Sequence, residues 1–280
     1  SSYYRGMPRI FLLLVALGAG LMPAQDWKKS LTFRATFDEG TDAAFALGDK
    51  ALYTAKSYKE QSAARAGLHS LDAEIVSGQG RNGGGALRFK KRNDQAIFYR
   101  AEKNVAFDAK NWTGTVSFWL SVDPEKDLAP GYCDPIQVTD KAYNDSAIWV
   151  DFTKDDQPRH FRLGVFGELK EWNPKNVEPD KNPDFLNRLV VVKQTPFRRG
   201  EWTHVAITFT GLGSGKGAAT LYLNGKSQGT TPVLKENFAW DLAKGALRLG
   251  VAYVGMFDDL AVFNRALTAK EVAQIASGKF

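Results

Sequence analysis

Strict alternation of apolar and polar side chains, followed by an Asn-Gly pair, constrains this chain more than any other feature. In Thr115–Val122, Val116, Phe118, Leu120 and Val122 share one parity and Thr115, Ser117, Trp119 and Ser121 the other. Thr203–Thr210 repeats the pattern, with Val205, Ile207 and Phe209 set against His204, Ala206, Thr208 and Thr210. Successive side chains of a strand point to opposite faces, so a period of two describes a half-buried strand and not a helix. Ala219–Leu223 then runs into Asn224-Gly225, and Lys226–Thr230 forms the return strand. A type I′ hairpin turn needs positive φ at both central residues, which Asn-Gly supplies. Short strands punctuated by turns predict an antiparallel all-β architecture.

The first 25 residues read differently. Arg5 and Arg9 flank the start of an apolar run, Ile10–Leu21, which gives way to Met22-Pro23-Ala24-Gln25. A basic start, a short apolar core and a small residue at the cut describe a secretory signal peptide, with cleavage expected near Ala24. The run is shorter than the roughly 20 apolar residues a membrane span needs. Residues 1–25 are therefore expected to be leader and signal peptide, and 26–280 one domain. All-β sandwiches reach about 250 residues as single units. The destination expected is the periplasm, the medium or the cell surface. Cys133 is the one cysteine of the 280 residues, so no disulfide forms within the chain and the core must carry stability alone.

Lysine and arginine number 37 against 31 acids, a net charge of +6. The basic residues are scattered apart from short clusters such as Lys90-Lys91-Arg92 and Arg198-Arg199, and no nucleic-acid motif accompanies them. A nucleic-acid partner is discarded. The loop Gly211–Gly217 is glycine-rich, but it lacks the spacing of a phosphate loop and joins two strands.

The end of the chain carries a family pattern. Gly255, Phe257, Asp258, Asp259 and Leu260 form one strand motif, and Asn264-Arg265-Ala266-Leu267-Thr268 with Glu271 opens a helix through a capping box. Gly200-Glu201-Trp202-Thr203-His204-Val205-Ala206, Leu221-Tyr222-Leu223-Asn224-Gly225, Gly85-Ala86-Leu87-Arg88-Phe89 and Phe37-Asp38-Glu39-Gly40 extend it upstream. Together these segments resemble the laminin-G-like, concanavalin A-like jelly-roll domains of secreted bacterial proteins. The resemblance implies a two-sheet antiparallel sandwich with a short C-terminal helix. It also implies that Trp119 and Trp202 take positions where the family buries an aromatic. Members often bind structural calcium through the first acid of the Asp-Asp pair and an acid of the first loop. On that resemblance Asp258, with Asp38 or Glu39, is the expected calcium site, and calcium's six to eight oxygen ligands suit it. In a regular strand only one of Asp258 and Asp259 can face a given site.

The region 123–199 is larger than the minimal fold needs. It holds plausible strands at Ala147–Phe152, Phe161–Phe166 and Leu189–Lys193, and a polar, proline-punctuated stretch, Glu171–Pro183. Sugar sites pair a flat aromatic with polar side chains. Trp172 beside Asn173 is the expected exposed platform, Trp149 the second, and Tyr132 and Tyr143 lie in the same region.

Catalysis finds less support. A retaining glycosidase needs two carboxyls about 5 Å apart, and the E-x-D-x-x-E and E-x-D-x-E spacings that deliver them on one strand are absent. There is no G-x-S-x-G elbow. His204 reads as a structural hydrogen-bonder, and His160 becomes a base only beside a pocket. The expectation is a non-catalytic module recognising carbohydrate or glycoprotein. A structural or adhesive protein-binding module is the competing class, and a glycan-active enzyme on the same fold the third.

Overall fold

The computed structural model describes residues 26–280. The leader and signal peptide expected over residues 1–25 lie outside the described residues. Among the described residues, seventeen strands build two antiparallel sheets. The first runs in the order Lys226–Thr230, Ala218–Leu223, Thr203–Leu212, Trp112–Ser121, Gly255–Phe263, Leu31–Ala35 and Phe45–Ala46. Ala86–Phe89 also pairs with the Gly255–Phe263 strand, and Ala73–Val76 with Ala86–Phe89. The second runs Val190–Val192, Phe161–Phe166, Ala147–Phe152, Cys133–Thr139, Ala246–Val251, Ala96–Arg100, Leu52–Ala55 and Arg65–Ala66. This is the two-sheet jelly-roll sandwich anticipated from the alternation and the family pattern.

Alternation decides which side chains meet between the sheets. Val116, Phe118 and Leu120 join Val205, Ile207 and Phe209 in the main core, against Ile136, Val138, Ile148, Val150, Leu163 and Val165 of the second sheet. Removing one such side chain from water contributes roughly 1.5–3 kcal/mol. Phe118 and Phe257 add a near-parallel stack, centroids 5.1 Å apart. The Asn224-Gly225 turn closes its hairpin with φ of 48° and 77°, and the register pairs Leu223 with Lys226 across it.

The enlarged region is mostly sheet. Residues 123–199 supply the Cys133–Thr139, Ala147–Phe152, Phe161–Phe166 and Val190–Val192 strands, half of the eight-stranded sheet. Only residues 167–189 form an excursion, which carries two single-turn helices, α1 (Leu169–Trp172) and α2 (Pro183–Leu186).

The polar parity of the first sheet is also buried, because a second layer covers it. α3 (Ala269–Ala276) lays Val272 and Ile275 with Trp27 against Ala206, Tyr222, Ala261 and Phe263. The capping box forms as anticipated: Glu271 N donates to Thr268 Oγ1 at 3.3 Å, and Thr268 N donates to Glu271 Oε2 at 2.8 Å. Among the described residues no helix is long and apolar enough to cross a membrane.

A candidate binding cleft on the outer face of the second sheet

The strand Ala147–Phe152 reads Ala-Ile-Trp-Val-Asp-Phe. Ile148, Val150 and Phe152 enter the core, so Trp149 and Asp151 project from the outer face. Register then sets Trp149 opposite Gly164 and Asp151 opposite Arg162 on the neighbouring strand. Gly164 is required there, because a Cβ at that position would lie 2.1 Å from an indole carbon of Trp149. The missing side chain lets the ring lie across the strand, and its Nε1 donates to the Tyr143 carbonyl at 2.7 Å.

The excursion 167–189 folds back over this face and builds one wall. Here the structure corrects an expectation. Trp172 is no exposed platform: it is 5% exposed and packs on Phe166 at 4.9 Å between ring centroids. Phe185 stacks on the same ring at 4.8 Å, and Trp172 Nε1 donates to the Asn144 carbonyl at 2.9 Å. Asn173, 4% exposed, is turned inward as well. Its Nδ2 donates to the Val177 carbonyl and its Oδ1 accepts from Val177 N, at 2.9 and 3.0 Å. The polar composition of the segment belongs to its outer surface. Its few aromatics are the anchors that pin it to the sheet, since burying a large ring offsets the entropy of ordering a loop.

Between this wall and the sheet lies a cleft of about 390 Å³. Tyr132, Tyr143, Trp149 and Phe185 give it aromatic surface, and Asp134, Asp151 and Arg162 give it a polar floor. Trp149 is 1% exposed overall, whereas Tyr143 is 37% exposed. Tyr132 Oη donates to Asp180 Oδ1 at 2.8 Å. Burial, reinforced by that bond, pushes the phenol up to about 12. Arg162 stands 5.0 Å from the Tyr132 ring centre and 5.8 Å from that of Trp149. It donates to Asp151 from Nε at 2.8 Å and from Nη2 at 2.5 Å. Asp134 accepts from Gln137 Nε2 at 2.7 Å. Burial, and then the charge of Asp151, holds its carboxyl well above the ordinary range. Burial also raises Asp151, while Arg162 draws it back. The arrangement offers flat apolar rings beside hydrogen-bonding carboxyls. His160 does not line this cleft.

Asp134, Asp151 and Arg162 are absent from the sequence expectations. The signal for two of them was present: a charged residue at the outer parity of otherwise apolar strands, Asp151 in AIWVDF and Arg162 in FRLGVF.

The Asp-Asp pair occupies a second place, within the first sheet, on the Gly255–Phe263 strand between the stretch paired with Ala86–Phe89 and the stretch paired with Leu31–Ala35. Asp259 has a φ of 46° and the pairing with the Trp112–Ser121 strand slips between Asp258 and Ala261. This bulge overturns the alternation expected for the pair, and both carboxylates reach Arg81. Arg81 N donates to Asp258 Oδ2 at 2.7 Å, while its guanidinium donates to Asp259 Oδ2 at 3.1 and 2.6 Å. Burial pushes Asp258 up to about 7, with the charges of Asp259 and Asp38 adding to it. Asp38 Oδ1 accepts from Gly85 N at 3.0 Å. The turn between them is close-packed: a Cβ at Gly84 would lie 1.8 Å from Asp38 Oδ1, and one at Gly80 3.1 Å from Asp258 Oδ2. Asp258 Oδ1 accepts from Asp259 N at 2.7 Å, so both its oxygens and Asp38 Oδ1 already take main-chain N–H groups; carboxylates beside main-chain carbonyls are the ligand type a hard cation takes. Glu39 is exposed and takes no part in these bonds. Among the described residues no group of three or more His, Cys, Asp or Glu side chains could hold a metal ion, so main-chain oxygens would have to complete any shell.

Comparison with known proteins places this architecture. No curated protein matches the chain by sequence. Among solved structures, domain 4 of AbnA, an extracellular arabinanase from Geobacillus stearothermophilus in complex with arabinotriose, superposes with a TM-score of 0.53 at 16% identity. That match covers 88% of this chain and 98% of the other. The binding domain of botulinum neurotoxin DC gives 0.56 at 11% identity over 89% of this chain and 51% of its own. The binding domain of Paraclostridial Mosquitocidal Protein 1 gives 0.51 at 15% identity over 90% and 53%. The chain thus spans about half the length of the two toxin domains, and at these identities what is shared is the fold. The family model described as concanavalin A-like lectin/glucanases superfamily matches residues 99–273, a stretch that includes every cleft residue named above. On that match the chain belongs to the laminin-G-like branch of the concanavalin A-like lectin/glucanases superfamily.

Proposed function

We propose that this chain is an extracellular binding module that takes a carbohydrate into the cleft beside Trp149. The observation that carries the reading is the convergence of Tyr132, Tyr143 and Trp149 with Asp134 in one cleft of about 390 Å³. Rings supply flat faces for the apolar side of a sugar, and carboxyls accept from its hydroxyls. The signal-like segment and the family support an extracellular address. A similar fold binds arabinotriose in the arabinanase domain.

A catalytic reading meets the four carboxyls that line the cleft, Asp134, Asp151, Glu178 and Asp180. Arg162 engages both oxygens of Asp151, and Asp180 and Glu178 pair with Lys154 at 3.5 Å and Lys181 at 3.0 Å, which leaves Asp134 as the one lining carboxyl free of an ion pair, and glycoside hydrolysis needs two. Binding without turnover is the reading the geometry favours.

In the first sheet, Asp258 and Asp38 would hold a calcium ion with main-chain oxygens around the Gly80–Gly85 turn. The ion would neutralise a buried carboxylate and tie the first loop to the last strand.

The experiment is calorimetric titration with neutral oligosaccharides on the wild type, Tyr132→Ala and Trp149→Phe, with product analysis of the same mixtures. Binding weakened about tenfold or more by Tyr132→Ala, ~1.4 kcal/mol, with no bond cleaved, supports the reading. Binding indifferent to both variants places the sugar elsewhere, and released product makes the protein an enzyme.

A further inference from the structure

We infer that the protein carries a second binding site, a groove on the outer face of the first sheet built around Trp202, and that it takes sugar chains bearing carboxylates or sulfates. It is separate from the cleft beside Trp149, which lies on the other sheet. Strand parity creates it. Leu87, Phe257 and Leu120 enter the core, so Arg88, Met256 and Ser121 point outward, and register sets them side by side. α3 covers a different part of this face, around Ala206, Tyr222, Ala261 and Phe263. The turn before the Thr203–Leu212 strand walls the groove. Gly200, with a φ of 82°, donates its N–H to Ser121 Oγ at 2.9 Å, and Trp202, two residues before His204, keeps the outer parity of that strand.

The groove has a volume of about 590 Å³, and Trp202, Met256, Val254 and Phe89 give it apolar surface. The family resemblance assigned Trp202 to a buried position, but here it is half-buried. Its surroundings set it apart. Trp27, Trp112, Trp119, Trp149, Trp172 and Trp240 each pack on another aromatic ring. Among the described residues Trp202 has no ring partner, no cation over its face and no acceptor for its indole N–H. A large aromatic that the core does not use, lining an open groove, offers a sugar ring both a flat face and a donor.

Which sugar follows from the donors that remain once every ion pair is counted. Arg88, Lys90, Lys126 and Arg199 line the groove with one acid, Asp127. Arg199 forks onto Asp127 from Nε and Nη2 and is spent there. Lys126 faces Asp123 at 3.5 Å. Arg88 and Lys90 share a single carboxylate, Glu74, at 3.8 and 3.7 Å. Both distances exceed hydrogen-bond length, so one acid answers two cations and bonds to neither. Arg198 and Glu201, exposed on the adjoining turn, carry opposite charges. Lining cations and their partners thus stand at four against three, and Arg88 and Lys90 keep donors without acceptors. A carboxylate or sulfate on a sugar laid against Trp202 supplies those acceptors, in charge-assisted bonds stronger than a hydroxyl forms. Each half-exposed cation contributes modestly by itself, so the ring and the cations are both needed.

The test titrates the full chain with oligogalacturonate, heparin-derived oligosaccharides, cello-oligosaccharides of matched length and polyglutamate. Each titration is repeated on Trp202→Ala, on Arg88→Gln with Lys90→Gln, and on Tyr132→Ala, at low and high salt. Either acidic sugar binding about tenfold or more tighter than the neutral one, weakened by salt, by Trp202→Ala and by the paired glutamines but not by Tyr132→Ala, supports the groove. Which of the two binds tighter then tells carboxylate from sulfate. Acidic sugars that are lost in Tyr132→Ala instead belong to the cleft, and the inference falls. Polyglutamate bound as tightly, with Trp202→Ala without effect, overturns it in favour of an acidic protein. No binding of an acidic sugar, or binding indifferent to both groove variants, overturns it outright. Thermal unfolding checks that Trp202→Ala folds. If it does not, the paired glutamines, placed on exposed side chains, decide alone.

Discussion

Arg162 holds Asp151 through both Nε and Nη2, at 2.8 and 2.5 Å, from directly opposite positions on adjacent strands. Both side chains are buried beneath aromatic rings. A planar fork matched to a carboxylate satisfies two charges at once where water cannot reach them, and the pair forms a rigid floor under the cleft.

Breaking that pair on one side should therefore cost more than deleting it. Arg162→Leu leaves Asp151 buried without a counter-charge and is expected to lose about 3–5 kcal/mol, whereas Arg162→Leu with Asp151→Leu should recover most of it. Urea unfolding of the three proteins checks the order.

Gly164 is expected to tolerate no side chain. Gly164→Ala must displace the Trp149 indole, at a cost of about 1–3 kcal/mol for an overpacked site. A shift in tryptophan fluorescence and weaker oligosaccharide binding should accompany the lower midpoint.

Trp172 separates an anchor from a surface residue. As the ring that pins the excursion to Phe166, its truncation to alanine should cost about 3–5 kcal/mol and raise hydrogen exchange across residues 167–189. An exposed platform would change stability by only about 0.5 kcal/mol.

Two buried groups set opposing pH slopes. Burial, and then the charge of Arg81, pulls His204 down to about 3 from 6.5. Its Nε2 lies 2.8 Å from Ser117 Oγ, and its Nδ1 is buried without a partner. The unfolded chain takes up a proton near pH 6.5 that the folded one refuses until about 3, so stability falls as pH drops through that window. Asp258 runs the other way. Its folded pKa lies near 7 against 3.8 unfolded, so the folded chain keeps a proton that the unfolded one releases, and stability falls as pH rises from about 4 to 7. Asp258→Asn should become progressively more stable relative to the wild type across that rise. His204→Gln should flatten the acid limb instead. Denaturation at a series of pH values reads both.

Calcium gives an independent check on Asp258. In its presence the midpoint of thermal unfolding should exceed that in EDTA by several degrees, and Asp258→Ala and Asp38→Ala should each abolish the difference. Glu39→Ala should leave it intact, because Glu39 is exposed and outside the bonds that join the loop to the strand. Equal midpoints with and without calcium would remove the metal from the site.

The sandwich was legible because its information is local. The parity of Thr115–Val122 and Thr203–Thr210 fixes which face is buried whatever the partner strand, and Asn224-Gly225 and the Thr268–Glu271 capping box are satisfied within a few residues. The strands Ala147–Phe152 and Phe161–Phe166 were readable for the same reason, to the residue.

What sequence alone determined, then, is the all-β class, the succession of strands and the closing helix, which follow from side-chain period and turn chemistry along the chain, and the two-sheet sandwich, which the family resemblance implied. Only the tertiary structure decided what covers the outer faces. It turned Trp172 and Asn173 inward, because the loop folds back onto the strand it leaves, packing Trp172 on Phe166 and closing Asn173 on the Val177 main chain. It joined Asp134, Asp151 and Arg162 through cross-strand register, which no local pattern encodes. It also put Asp258 and Asp259 on one arginine through a bulge, where a regular strand would have parted them.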